Sequence, residues 1–436
     1  MSEHNSYILV KKSPPLKGVS EISGAKNAVL VIMAALILTD GISLLENVPS
    51  SADVLQMIKL LEDLGALVTF DVNKKILKVD TSQINKFEVK QEIMSKMRAS
   101  ILVMGPLLAR FGKAKVALPG GCLIGARHID FHLKGFKKMG AIIEENGPYI
   151  YASLKSYQEL PTTTHIVFEY PSVGATENLM MFATLCKGET VIINAALEPE
   201  VFDLIEVLTK MGAKIEYLKG ATLRIRGVSK LKPVSHTIIP DRLEAGALLL
   251  AAAITGGEIS LPQARADHMD LFLEKLKEMG HTVITGTNAT IDFPYRGIKL
   301  LATPYPQPVN LKTGPYPSFP TDLQAPTMAA LCLANGKSSI EETVYENRLI
   351  HAKELQKLGA QITVEGTGKA IIRGVETLYG SDVIATDIRA SCALVLASLV
   401  SKGETKIAGV HHWRRGYDEL EKKINLLGGF INIITS

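Results

Sequence analysis

The sequence predicts an α/β protein assembled from six copies of one helix–strand unit, grouped as two domains of three. Three observations predict it. First, one phrase recurs, an amphipathic run that closes on Leu/Met-Gly and is followed by a strand-like run: LLEDLGALVTF, GFKKMGAIIEE, VLTKMGAKIEY, KLKEMGHTVIT, ELQKLGAQITV and KINLLGGFINI. Its glycines, Gly65, Gly140, Gly212, Gly280, Gly359 and Gly428, stand about 70 residues apart. Second, another phrase precedes each copy, a small-residue apolar run ending near a glycine before a short β-rich stretch: ALILTDGISLLE, LLARFGKAKVAL, ATLCKGETVII, AAAITGGEISL, LCLANGKSSIE and LASLVSKGETKIA. Third, six such units nearly exhaust the 436 residues.

Each unit therefore reads helix, glycine stop, strand, helix, glycine stop, strand. The glycines suit the residue just past a helix, where positive φ is cheap. The Val/Ile-rich stretches after them suit strands. The natural grouping is one domain over residues 24–236 and a second over residues 1–23 plus 237–436. A linker is expected at KLKPVSHT (residues 230–237) and a second crossing near VSEISG (residues 19–24), which sends the first strand, YILVKK, to the C-terminal half.

Bulk composition narrows the class. Hydrophobic residues make up 47% and charged residues 21%, as in a soluble globular protein with a large core. A net charge of +4 is too mild for a nucleic-acid protein defined by bulk charge, yet it leaves room for local arginine clusters that bind anions. The four cysteines show no CxxC spacing, so neither a disulfide framework nor a zinc site is indicated. Cys186, Cys332 and Cys392 sit in apolar helix-like runs and read as buried thiols. Reduced thiols fit a cytosolic protein. MSEHNSYILVKKSPP lacks a long apolar h-region, so no signal peptide is expected. The longest apolar runs, such as ALLLAAAI, fall short of the ~20 residues of a membrane span.

Residues 118–130, LPGGCLIGARHID, hold Cys122 among glycines with Arg127 nearby. Such a thiol is placed to have a perturbed proton affinity and could serve as an acid or a nucleophile; the bland alternatives are an inert loop thiol and, for Arg127, an ordinary surface charge. In GAKNAVL, Lys26 and Asn27 fall in the first turn of a helix, where a lysine is unfavourable unless an anion offsets it; the bland alternative is a solvated surface lysine. FPTDLQAPT places Asp322 at a helix start, where N-capping is the ordinary role. ATDIRAS offers Asp387 and Arg389, ordinarily a local ion pair. HHWRRGYDE adds Arg414 and Arg415, and MRAS adds Arg98 before an apolar helix. A metal role for the adjacent His411 and His412 is not supported by their spacing. Walker, GxGxxG, GxSxG and HExxH motifs are all missing. Many arginines, one lysine, one thiol and a few aspartates suit an anionic, phosphate-bearing substrate handled without metal or cofactor.

The motifs GAKNAVL, MRAS, LPGGCLIGARHIDFH, PSVGATEN, IPDRLEAG, FPTDLQAP, ETVYENR, ATDIRAS and RRGY occur in that order. Together they resemble the UDP-N-acetylglucosamine 1-carboxyvinyltransferase family, in the EPSP synthase superfamily. The resemblance implies two domains, each an inside-out α/β barrel of three βαβαββ units, with an active site in the cleft between them that the cysteine loop closes. It implies enolpyruvyl transfer from phosphoenolpyruvate to UDP-N-acetylglucosamine in bacterial peptidoglycan synthesis, in the cytoplasm, with no cofactor, metal, nucleic acid or membrane. Carried residue by residue, Lys26, Arg127 and Arg415 hold the phosphate and carboxylate of phosphoenolpyruvate. Cys122 protonates its methylene carbon and can form a covalent adduct; Asp322 accepts the proton of the sugar 3-hydroxyl; Asn27 hydrogen-bonds the sugar. Arg98, the segment Arg127, His128, Ile129, Asp130 and Phe131, Ser172, Val173 and Val344 line the UDP-sugar site, and Asp387 and Arg389 support the reacting centre.

Three positions depart from the family pattern. His128 replaces a usual proline, Phe131 a common leucine, and Arg414 a frequent acidic residue. The first and last keep open a catalytically silent UDP-sugar-binding paralogue. The shikimate-pathway enolpyruvyl transferase is a second alternative, without this glycine-flanked cysteine loop. A nucleic-acid-end enzyme on a related repeat fold is a third, opposed by the mild net charge and the lack of interleaved aromatics.

Overall fold

In the computed structural model, which describes residues 6–94, 97–117 and 129–435, the chain divides into two compact units. One is residues 24–239; the other is residues 6–23 with 240–435. Each has its own hydrophobic core.

One βαβαββ unit shows the pattern in full. Strand Thr163–Val167 leads into helix Val173–Ala183, strand Glu189–Ile193, helix Pro199–Lys210, and the strands Lys214–Leu218 and Thr222–Arg226. The first two strands pair in parallel, which requires a crossover, and the buried helix supplies it. The last two form an antiparallel hairpin whose return strand adds beside the second strand. Four other sheets repeat this order. The sixth has three strands, Lys113–Ala117, Tyr149–Ser153 and Ile142–Asn146, with a lone parallel bridge between Glu88 and Lys115 where the edge strand would stand.

The segments at the two chain crossings each supply an edge strand to their own unit. Lys17–Val19 pairs in parallel with Glu258–Arg265, and Ser235–Thr237 pairs in parallel with Ile42–Glu46. Residues 230–237 are therefore not simply a linker. Leu44 donates its N–H to the Val234 carbonyl at 2.8 Å, and the Ser235–Thr237 strand stays with the 24–239 unit. Three residues beside a proline carry too little periodicity to announce a strand. Tyr7–Lys11 pairs with Glu404–Ala408 and Phe430–Ile434.

Helices lie inside each unit and sheets outside. Lys26–Ala35, Val173–Ala183, Arg242–Thr255, Thr321–Leu331 and Ile388–Ser398 are buried on nearly every face, as their continuous apolar and small-residue sequences require. Strands instead alternate, as in the half-buried pattern of Tyr7–Lys11. The second helix of each unit is amphipathic; Ala52–Leu64 buries Val54, Met57, Leu60, Leu61 and Leu64. Close approach of the inner helices uses glycine: a Cβ on Gly246 would lie 2.6 Å from Leu323 Cδ1. Among the described residues no helix is long and apolar enough to cross a membrane.

The six repeat glycines all take positive φ, from 91° to 109°. Gly188, in the second phrase, combines φ +97° with a position where a Cβ would meet the Thr162 carbonyl oxygen at 2.1 Å. Gly220 has φ +72° and open space around it. Gly220→Ala is expected to cost about 1 kcal/mol and Gly188→Ala about 3 kcal/mol or more. Urea unfolding of the two variants checks this, and equal midpoints refute it.

Candidate active site

In the 24–239 unit, Lys26 is the first residue of its inner helix and only 8% exposed. Its Nζ lies 3.3 Å from Asp53 Oδ2, on the first turn of helix Ala52–Leu64. The solvated-lysine alternative is thereby excluded, and Asp53 is part of the anion that a lysine at a positive helix end requires. Asn27, next along the helix, is exposed. Ser172 caps helix Val173–Ala183, its hydroxyl accepting from the Ala175 N–H at 3.4 Å, and Val173 is half-buried. Ile129, Asp130 and Phe131 are half-buried at the start of helix Asp130–Lys138. The Phe131 ring meets Phe168 edge-on at 5.8 Å, which gives the departure from leucine a packing partner. Glu177, in PSVGATEN, is buried; burial, with Glu200 and Glu198 nearby, raises its proton affinity well above the usual carboxylate range. Cys122, Arg127, His128 and the side chain of Arg98 lie outside the described residues.

The second unit builds a tighter cluster. Pro320, not Asp322, is the N-cap of helix Thr321–Leu331, so the carboxylate is free for other work. Arg348 Nη2 donates to Asp322 Oδ1 at 2.5 Å, and Arg389 Nη2 donates to Oδ2 at 2.9 Å. Both arginines are buried, 3% and 5% exposed, while the Asp322 side chain keeps 26%. Burial alone would raise the Asp322 proton affinity; the charges of Arg389 and Arg348 override it and hold the carboxyl well below its usual range. Asp387 and Arg389 do not form the local ion pair that their spacing suggests. Asp387 caps helix Ile388–Ser398, accepting from the backbone N–H groups of Arg389 and Ala390 at 2.7 and 3.0 Å. Arg389 is thereby turned towards Asp322.

Arg348 escaped the sequence reading although ETVYENR contains it. Its segment is ordered by buried Glu342, whose oxygens accept from Thr313 Oγ1 at 3.0 Å, Thr321 Oγ1 at 2.8 Å and the Val344 N–H at 2.8 Å. Half-buried Val344 is placed by the same carboxylate. Arg415 is half-buried and Arg414 exposed on helix Val410–Gly416. Cys186, Cys332 and Cys392 are buried, as read from sequence. Among the described residues no group of three His, Cys, Asp or Glu side chains is arranged to hold a metal ion.

Residues 10–424 match the family model described as EPSP synthase (3-phosphoshikimate 1-carboxyvinyltransferase). A protein of Thermodesulfovibrio yellowstonii named UDP-N-acetylglucosamine 1-carboxyvinyltransferase is 46% identical over 98% of this chain and 99% of its own. The chain belongs to the UDP-N-acetylglucosamine 1-carboxyvinyltransferase family. A second relative, UDP-N-acetylglucosamine 1-carboxyvinyltransferase 1 of Caldanaerobacter subterraneus, is 47% identical over 97% of this chain and 98% of its own. The fold matches the enolpyruvyl transferase NikO from Streptomyces tendae with a TM-score of 0.88 at 23% identity, covering 99% of both chains. The EPSP synthase of Acinetobacter baumannii matches at 0.76 and 16% identity, covering 99% of this chain and 100% of that one. Each unit of the family member described here is an inside-out α/β barrel in the sense set out above, helices within and sheets without.

Asp322→Asn leaves two buried guanidinium groups facing an uncharged amide. The expected loss is about 3–5 kcal/mol of stability at neutral pH. Because the folded carboxyl titrates below its unfolded value, its contribution is present above about pH 5 and is lost as pH falls through the folded value. Urea unfolding of wild type and variant should therefore converge in acid; a pH-independent difference would show that the clamp does not hold the charge.

Proposed function

We propose that this chain transfers the enolpyruvyl group of phosphoenolpyruvate to the 3-hydroxyl of UDP-N-acetylglucosamine and releases phosphate, in cytoplasmic peptidoglycan synthesis. The observation that carries the reading is full-length kinship with proteins of that name at nearly half identity. A shikimate-phosphate acceptor is not favoured, because these full-length relatives carry the UDP-sugar name.

The residue roles are those that the family resemblance implies, and the chemistry fits them. The sugar oxygen adds to C2 of phosphoenolpyruvate while the Cys122 S–H delivers its proton to C3; Asp322 takes the hydroxyl proton. Protonating a vinyl carbon is slow without a positioned acid. The resulting tetrahedral ketal collapses when a proton leaves C3 and the C2–O bond to phosphate breaks. Lys26, Arg127 and Arg415 neutralise the donor's phosphate and carboxylate and keep the reacting atoms together. Exposed Asn27 takes the sugar. Arg98, Arg127 to Phe131, Ser172, Val173 and Val344 receive the nucleotide sugar, and Asp387 and Arg389 support the reacting centre. The half-buried position of Val344 beside the ordered Glu342 supports its part in this division.

Phosphate release should require both phosphoenolpyruvate and UDP-N-acetylglucosamine and should fail with shikimate 3-phosphate as acceptor. Cys122→Ser should lose at least about a hundredfold in turnover; an unchanged rate reassigns that proton to another group. Fosfomycin with the UDP-sugar present should leave one adduct on Cys122 by mass spectrometry, and an unmodified thiol removes the cysteine from the chemistry.

A further inference from the structure

The two arms of the Asp322 clamp differ. Arg348 gives only Nη2; among the described residues its buried Nε and Nη1 meet no hydrogen-bond partner. Arg389 gives Nη2 to Asp322 and Nη1 to the phenol oxygen of Tyr417 at 3.1 Å. A guanidinium is planar, with donors in fixed directions. An acceptor on each Nη therefore fixes its rotation, and with it the direction from which Oδ2 is held.

Tyr417 is itself well fixed. It is 4% exposed, its ring packs 5.1 Å from Trp413, and the Arg389 guanidinium lies 5.6 Å over its face. The helix that carries Arg389 is buried along its length. Cys392 is fully buried three residues beyond Arg389 on the same helix. Gly416 makes the arrangement possible. A Cβ there would lie 2.1 Å from Ile388 Cγ2, so the two helices touch and Tyr417 emerges beside Arg389.

We propose that Tyr417 is a positioning residue of the site: acting through Arg389, it sets the orientation of the Asp322 carboxylate. The consequence for turnover rests on the role proposed above for Asp322.

Tyr417→Phe removes one oxygen and keeps the ring. With phosphoenolpyruvate and UDP-N-acetylglucosamine, kcat should fall about tenfold while both KM values stay within about twofold. In an Arg389→Lys background, which lacks the rigid planar fork that ties the Tyr417 bond to the direction of the Asp322 bond, the same change should have no further effect on kcat. Equal tenfold losses in both backgrounds, or a raised KM at unchanged kcat, overturn the proposal. Should Tyr417→Phe fail to fold, 3-fluorotyrosine at position 417, which keeps the ring but offers Arg389 a weaker acceptor, should lower kcat about twofold at unchanged KM; an unchanged kcat overturns it equally. Asp322→Asn separates the two readings. Wild-type turnover in that variant sinks the role of Asp322, while the Tyr417–Arg389 coupling is still read as non-additive unfolding stability. An inactive Asp322→Asn with an additive cycle sinks the positioning role alone.

Discussion

Burying a helix on every side is the constraint from which the rest follows. The inner helices carry few polar groups along their length, since a buried polar group without a partner is costly. Asn178 shows what an exception demands: it is fully buried, its Oδ1 accepts from the Gly105 N–H at 2.7 Å, and its Nδ2 donates to the Ile101 carbonyl at 3.0 Å. Chemistry is therefore pushed to the helix ends. Lys26, Ser172, Asp322, Asp387 and Arg389 all lie at the cap or in the first turn of an inner helix. Unpaired N–H groups and the positive end of the helix dipole favour anions at such ends. A repeat that places helices inside thus presents anion-binding ends without a dedicated phosphate loop.

The same constraint explains what was legible in the sequence. Continuous apolar runs and the glycines that end them are local signals, and the six glycines of the first phrase do take the left-handed conformation. The roles of single polar residues depend on partners far along the chain. Lys26 looks like a surface lysine until Asp53 is placed 3.3 Å away. Asp322 looks like a cap because a proline precedes it, yet its partners are 26 and 67 residues further on. Asp387 and Arg389 are two apart, but a cap directs the first towards backbone and frees the second. Arg348 and Tyr417 stood inside quoted motifs and gave no local sign of their work.

Within the described residues, the Asp322 cluster is close to charge balance. Asp387 acts electrostatically on Arg348, so two carboxylates face two guanidinium groups. Burial pushes His351 down to about 4, so it adds no charge at neutral pH.

That balance carries a consequence for the proposed chemistry. A carboxylate under two guanidinium groups is a weak base, and a proton taken from the sugar hydroxyl would leave one uncompensated positive charge in a desolvated place. Uncompensated buried charge costs several kcal/mol.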